Sequence, residues 1–243
     1  MQVIWPATAG REGPLTGGAT MRRFIASVLA LWFVAVFVLG GAGVIARPIG
    51  SPPIPILIGA VGPVVAFLAA YAVWPAFRES VLSLDLVLAT SIQGWRAAGL
   101  GFLALYAHGV LPGAFAYPAG LGDIAIGVTA PWVVLALIRR PGFATTRGFV
   151  VWNLLGILDL VVALSLGGLI SALATGATGE VTTQPMARLP LVLVPAYLVP
   201  LFVMLHLSAL FQARYQAGVV RPFGAHSGRI ARPRPSGISA PSR

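Results

Sequence analysis

The chain has 243 residues, of which 58% are hydrophobic and 9% charged, with a mean hydropathy of +0.90. Soluble domains carry about 25% charged residues, so a water-soluble fold is excluded as the starting point, and the absence of Cys excludes disulfides and thiolate chemistry. The net charge of +10 comes entirely from Arg, Lys being absent; in so apolar a chain it points to membrane topology before it points to nucleic acid.

Residues 1–20, rich in Gly and Thr, are expected to be disordered, and an all-α transmembrane domain is expected over 21–213. A hydrocarbon core of about 30 Å needs about 20 mostly apolar residues per helix, and windows of that kind fall at 24–46, 54–74, 95–111, 120–138, 149–170 and 189–211. The first follows Arg22 and Arg23 and also has the basic start and small-residue end of a signal peptide. Its apolar part is longer than the 7–15 residues of a typical h-region, which favours a retained span.

After the second span comes "PAFRESVLSLDLVLATSIQGW", where Val81, Leu84, Leu88 and Ile92 keep a helical spacing against Arg78, Glu79, Asp85 and Gln93. This predicts one interfacial amphipathic helix over 75–93. In the third span Ala97, Gly101, Ala104 and His108 share a face. The fourth carries Asp123 between Gly120 and Gly127; the fifth carries Asn153, then Asp159 between Gly156 and Ala163. Small residues at such offsets let helices approach closely, so Gly101, Gly120, Gly127, Gly156 and Ala163 are expected at helix contacts and both Asp side chains inside the bundle. The loop "SALATGATGEVTTQPMARLP" has Glu180 and Arg188 as its only charges. Pro190, Pro195 and Pro200 should then break the start of the sixth span, which carries His206 near its end. From Arg214 to Arg243 a Pro-, Gly-, Ser- and Arg-rich tail, with His226 solvated in it, reads as disordered and drawn to anionic headgroups.

With six spans and both ends cytoplasmic, 14 of the 16 Arg fall on the cytoplasmic side, leaving Arg47 and Arg188 outside. Five or seven spans would spoil that asymmetry. The all-Arg, Gly- and Pro-rich composition resembles the codon bias of a GC-rich genome, which points to a bacterial cytoplasmic membrane.

An acid at mid-membrane costs roughly 2.5–3.5 kcal/mol, so the few polar residues in the spans are the site candidates. By depth, Asp159 falls at the midplane, His108 and Asp123 in an outer layer within reach of each other, and His206 with Asn153 in an inner one, beside Gln93 and Arg96 at the inner boundary. The plainer readings are an N-terminal helix Asp for Asp123, a hydrogen-bonded packing residue for Asp159, and neutral imidazoles bonded across helices for His108 and His206. No metal or cofactor is expected: His108 with Asp123 supplies two ligands where zinc chemistry needs three or four, and the two His differ too much in depth for one haem. No G-x-S-x-G, Walker A, H-E-x-x-H or dinucleotide motif occurs.

Three functions remain open. The first is proton-coupled transport or binding of a small solute or lipid, with Asp159 as the midplane site. The second is a membrane enzyme acting on a lipid headgroup, with His108 and Asp123 as base and orienter. The third is a non-catalytic subunit or scaffold. Six spans are few for a transporter monomer, which points to a homodimer or a membrane-protein partner, with the bilayer itself as the surrounding partner.

Overall fold

The computed structural model describes residues 16–220 of the chain, and the side chains of 19–218. The expectations for residues 1–15 and for 221–243, His226 included, lie outside the described residues. Among those described, the fold is all-helical, and five helices are long and apolar enough to cross a membrane: Ala19–Gly41, Ile54–Val73, Gly113–Arg139, Arg147–Leu173 and Val194–Gly218. Large apolar side chains such as Leu31, Val73, Leu121 and Leu173 stand on the outside of the bundle. That is the inside-out pattern of a membrane protein, whose solvent is as apolar as its core.

Helix α1 (Thr16–Gly41) is peripheral, held by Trp32 against Tyr197 with ring centroids 4.6 Å apart. It begins before residue 21, so the N-terminal boundary expected there moves outward. Helix α2 (Ile54–Val73) ends where Pro75 cannot supply the N–H that would continue it. Arg78 of α3 (Pro75–Leu82) folds back to close it, donating from Nε to Tyr71 O at 3.1 Å and from Nη2 to Ala72 O at 2.9 Å. Tyr71 stacks on Phe211 with centroids 4.2 Å apart, which ties α2 to the last helix.

The single interfacial helix expected over 75–93 is two helices. Chain direction changes at residues 83–85, where Asp85 caps α4 (Leu86–Ile92) by accepting from Val87 N at 2.8 Å and Leu88 N at 3.3 Å. The apolar spacing that suggested one helix runs across the break. Helix α4 continues without interruption through a 3₁₀ stretch, Gln93–Gly99, into α5 (Leu100–Ala107). The expected third span is thus the second half of a longer helical run that starts at Leu86. Gly109, at φ +69°, turns the chain out of α5.

Helix α6 (Gly113–Arg139) starts directly after Pro112 and carries Pro118 and Pro131 inside it, so it begins well before the Gly120 expected from the sequence. Helix α7 (Arg147–Leu173) is capped by Thr146, whose hydroxyl accepts from Phe149 N at 3.3 Å. The prolines of the last span act as expected at its start: a π-helical turn, Val194–Leu198, precedes α8 (Val199–Val220). Helix α8 extends past Arg214, through residues expected to be disordered tail, and Gln212 Nε2 anchors it by donating to Val81 O and Leu84 O at 3.0 and 2.9 Å. Helix α6 is the centre of the bundle, packed on the 3₁₀ stretch, α5 and α7, while α7 packs in turn on α8.

The segment joining α7 to the π turn is organised by Glu180. Its carboxylate accepts from Thr175 N at 2.9 Å, Thr175 Oγ1 at 3.0 Å and Gly176 N at 2.6 Å. The Thr175 backbone bond foremost, then the other donors, hold this carboxyl below the usual glutamate range. The tie is therefore complete above the ordinary glutamate pKa and is lost as pH falls through the lowered folded value. The protection factors of the Thr175 and Gly176 amides, exchange rates corrected for the intrinsic pH dependence, are expected to fall on acidification in the wild type and to be low at every pH in Glu180→Gln; high, pH-independent protection in the variant would show that something else holds the loop.

Candidate functional site

Four helical segments each bring one polar residue from near mid-length to a common point. Arg96 lies in the middle of the 3₁₀ stretch, Asp123 and Asp159 lie well inside α6 and α7, and His206 lies inside the α8 span. The convergence requires close helix crossings, and glycine permits them. A Cβ on Gly127 would run into the backbone of Arg96 and Ala97, one on Gly156 into the His206 ring, and one on Gly122 into the Asp159 carboxylate. Gly120 packs against the carbonyl of Gly99 in the same way. Gly101, expected at a helix contact, instead meets open space, and Ala163 packs at the edge of the core formed by Leu111, Phe115 and Ala116.

Arg96 is the hub. Its side chain is fully buried, and the guanidinium donates from Nε to Asp123 Oδ1 at 2.7 Å and from Nη2 to Asp159 Oδ2. Nη1 donates to Gly156 O at 3.2 Å and reaches His206 Nε2 at 3.1 Å. A planar fork with five N–H donors suits this task, because two carboxylates and two neutral acceptors can be met from one rigid group.

The His206 tautomer follows from the same contacts. Asn153 donates from Nδ2 to Phe149 O at 2.9 Å, so its Oδ1, 2.9 Å from His206 Nδ1, accepts the imidazole proton. Arg96 can only donate, so His206 Nε2 must present a lone pair. The imidazole is neutral with its proton on Nδ1. Trp152 packs edge-on against it at 5.4 Å and is itself fixed by an Nε1–H bond to Thr129 Oγ1 at 2.9 Å. Gln93, one turn before Arg96, donates to Phe202 O at 3.3 Å, while its buried Oε1 has no partner among the described residues.

These contacts revise the layers expected from the sequence. Asp123, Asp159, His206 and Asn153 belong to one network at one depth, not to three. Counting from helix ends misplaced them because α6 starts earlier and α8 ends later than expected. His108 is not part of the network: it is exposed at the end of α5, and Asp123 is engaged by Arg96 instead. The expected His108–Asp123 relay is therefore absent, and with it the base-and-orienter pair of an enzyme reading.

Beside the network lies a cavity of about 780 Å³, its open mouth included. Asp123 is the one network residue that lines it. Phe102, Phe115, Leu160 and Val199 form apolar walls, and Arg47, Thr183 and Gln184 stand where the loops close around the entrance. Along α7 the lining runs from Leu160 to Ser171, a depth of roughly 16 Å at the helical rise.

A family model matches residues 53–214, from the start of α2 to near the end of α8, and so includes the hub, both carboxylates and the imidazole but not α1. The chain belongs to the family described as Domain of unknown function (DUF8737). No curated protein and no solved structure matches it. The DUF8737 region is thus the part of the chain that builds the charge network and nearly all of the cavity, Arg47 and Ile45 being the lining residues that precede it.

Proposed function

We propose that this DUF8737 protein holds one exchangeable proton in its mid-depth charge network and couples it to binding or passage of a small solute or lipid through the cavity. The observation that carries the reading is the charge balance: one guanidinium, two carboxylates and a neutral imidazole, in a place where water is scarce. One negative charge is surplus. In a low-dielectric site a surplus charge is neutralised by a proton or by a bound cation, and chains of acids and histidines inside membranes serve such exchanges. The cavity gives Asp123 a way to meet a ligand, while Asp159, held on the same guanidinium, senses the change.

The topology we favour has six crossings. The run from Leu86 to Ala107, in pieces of 7, 7 and 8 residues, is roughly 35 Å long at the α and 3₁₀ rises, enough for a sixth span beside the five long helices. Arg22, Arg23, Arg78, Arg139, Arg140, Arg147 and Arg214 then share the cytoplasmic side with both chain ends, and α3 lies at that interface. The cavity opens on the opposite face. A bacterial cytoplasmic membrane, attraction of the Arg-rich tail to anionic headgroups, and assembly as a homodimer or with a membrane partner complete this reading.

The test is infrared spectroscopy of the protein in lipid, comparing mildly acidic and mildly alkaline buffer. The wild type is expected to show a protonated-carboxyl band that shifts on deuteration and responds to pH. Asp159→Asn should remove it while leaving the helical signal and the unfolding midpoint near wild type, since Arg96 keeps Asp123 as counter-charge. A band that persists unchanged in both Asp159→Asn and Asp123→Asn would refute the exchangeable site.

A further inference from the structure

The cavity and the charge network together define a ligand class. We propose that the cavity binds a lipophilic organic cation, an ammonium or phosphonium centre on an apolar body, with Asp123 as its counter-charge; this rests on the network's surplus negative charge described above. Three observations point this way. The cavity lies directly beside the network and its walls are almost entirely apolar, so the body of the ligand must be apolar. The inner charge is a carboxylate whose Oδ1 is taken by Arg96 while Oδ2 has no partner among the described residues, and the Asp123 side chain keeps 16% exposure in a residue that lines the cavity. Phe102 and Phe115, packed edge to face with centroids 5.5 Å apart, add aromatic surface to the wall, which attracts a desolvated cation.

The one positive charge in the lining, Arg47, is exposed at the mouth, where solvent and salt screen it. Asp123 sits deep, where the field of the surplus charge is screened least. An anion would gain at the entrance and lose at the end of the cavity; a cation does the reverse. Because a cation and a proton neutralise the same surplus, one displaces the other, and binding releases a proton.

Tetraphenylphosphonium and tetraphenylborate, matched in size and shape and opposite in charge, test this directly. Both are titrated against the full chain in nanodiscs of uncharged lipid, with empty nanodiscs subtracted, by calorimetry in two buffers of different ionisation enthalpy. The phosphonium is expected to bind saturably with release of about one proton, the borate not to saturate, and Asp123→Asn to weaken the phosphonium at least about tenfold. Gly168→Phe, which fills the cavity from α7 away from the network, should abolish binding even if Asp123→Asn does not fold. Borate binding as tight as the phosphonium, phosphonium binding indifferent to both variants, or no saturable binding of either ion would overturn the assignment. In the last case the infrared acid band decides what else falls: if it is present and lost in Asp159→Asn, the proton site stands without this ligand class, and if it is absent both fall.

Discussion

Arg96→Gln is expected to destabilise the bundle by about 3–5 kcal/mol, the largest single-residue effect in the chain. The substitution leaves Asp123 and Asp159 facing each other without a cation and removes a donor from Gly156 O and His206 Nε2. What is lost is less the attraction of the pair than the compensation of charges that remain buried. Arg96→Lys should fall between the two, because an ammonium keeps the charge but cannot reach four acceptors from one plane. The triple change Arg96→Met, Asp123→Asn, Asp159→Asn should recover most of the loss, since a buried ionic set replaced as a whole is often neutral or stabilising. Unfolding in mixed micelles titrated with SDS measures all three. A wild-type midpoint for Arg96→Gln would mean that the guanidinium is not buried among the carboxylates, and the triple variant separates that case from a general failure to fold.

Gly127→Ala is expected to cost about 1–3 kcal/mol although it adds a single methyl group. The added Cβ points into the backbone of Arg96 and Ala97, which no rotamer change can move aside, so α6 and the 3₁₀ stretch must separate and take the guanidinium with them. Gly101→Ala is the control on the next helix. Its Cβ meets open space, and in a helix Ala is favoured over Gly by up to about 1 kcal/mol, so this variant should equal or exceed the wild type. The same SDS titration reads both. Equal midpoints for the two variants would show that α6 has room to move, and the close crossing would lose its explanation of how Arg96 is positioned. Because Gly127 and Arg96 touch, their effects should not add: Gly127→Ala in the Arg96→Gln background should cost clearly less than in the wild type.

The apolar lengths made the helices readable, and the small residues flanking Asp123 and Asp159 made their inward direction readable. Asn153 and His206 were placed at one level, and they share a hydrogen bond. Arg96 was not found, for a definite reason. Arg in a membrane protein is first counted as a loop residue, and Arg96 fitted the cytoplasmic side of that count with nothing left over. Two signals pointed the other way. Two inward carboxylates need a cation, and within the six apolar windows read from the sequence there is no Lys and no Arg other than Arg96 to supply it. The helical register that places Gln93 and Arg96 on one face also runs on through Gly99 and Leu103, both of which contact α6. The depth errors have a separate origin: Pro112 and Pro118 look like helix breakers, yet one precedes α6 and the other lies within it. Pro112, just before the helix, lacks an N–H that would be unpaired anyway, so it marks a beginning as readily as an end; Pro118, in the second turn, gives up its bond to the Ala114 carbonyl and the helix continues through it.

The hub also pairs a residue made early with partners made late. A lone helix carrying Arg96 at its centre pays roughly 2.5–3.5 kcal/mol to enter lipid, and the carboxylates that offset this are synthesised later, on α6 and α7. The stretch from Leu86 to Ala107 therefore leaves the ribosome before its partners exist. In the six-crossing topology proposed above, its placement across the membrane is therefore expected to follow that of α6 and α7, which come after it in the chain and carry the carboxylates that offset its charge.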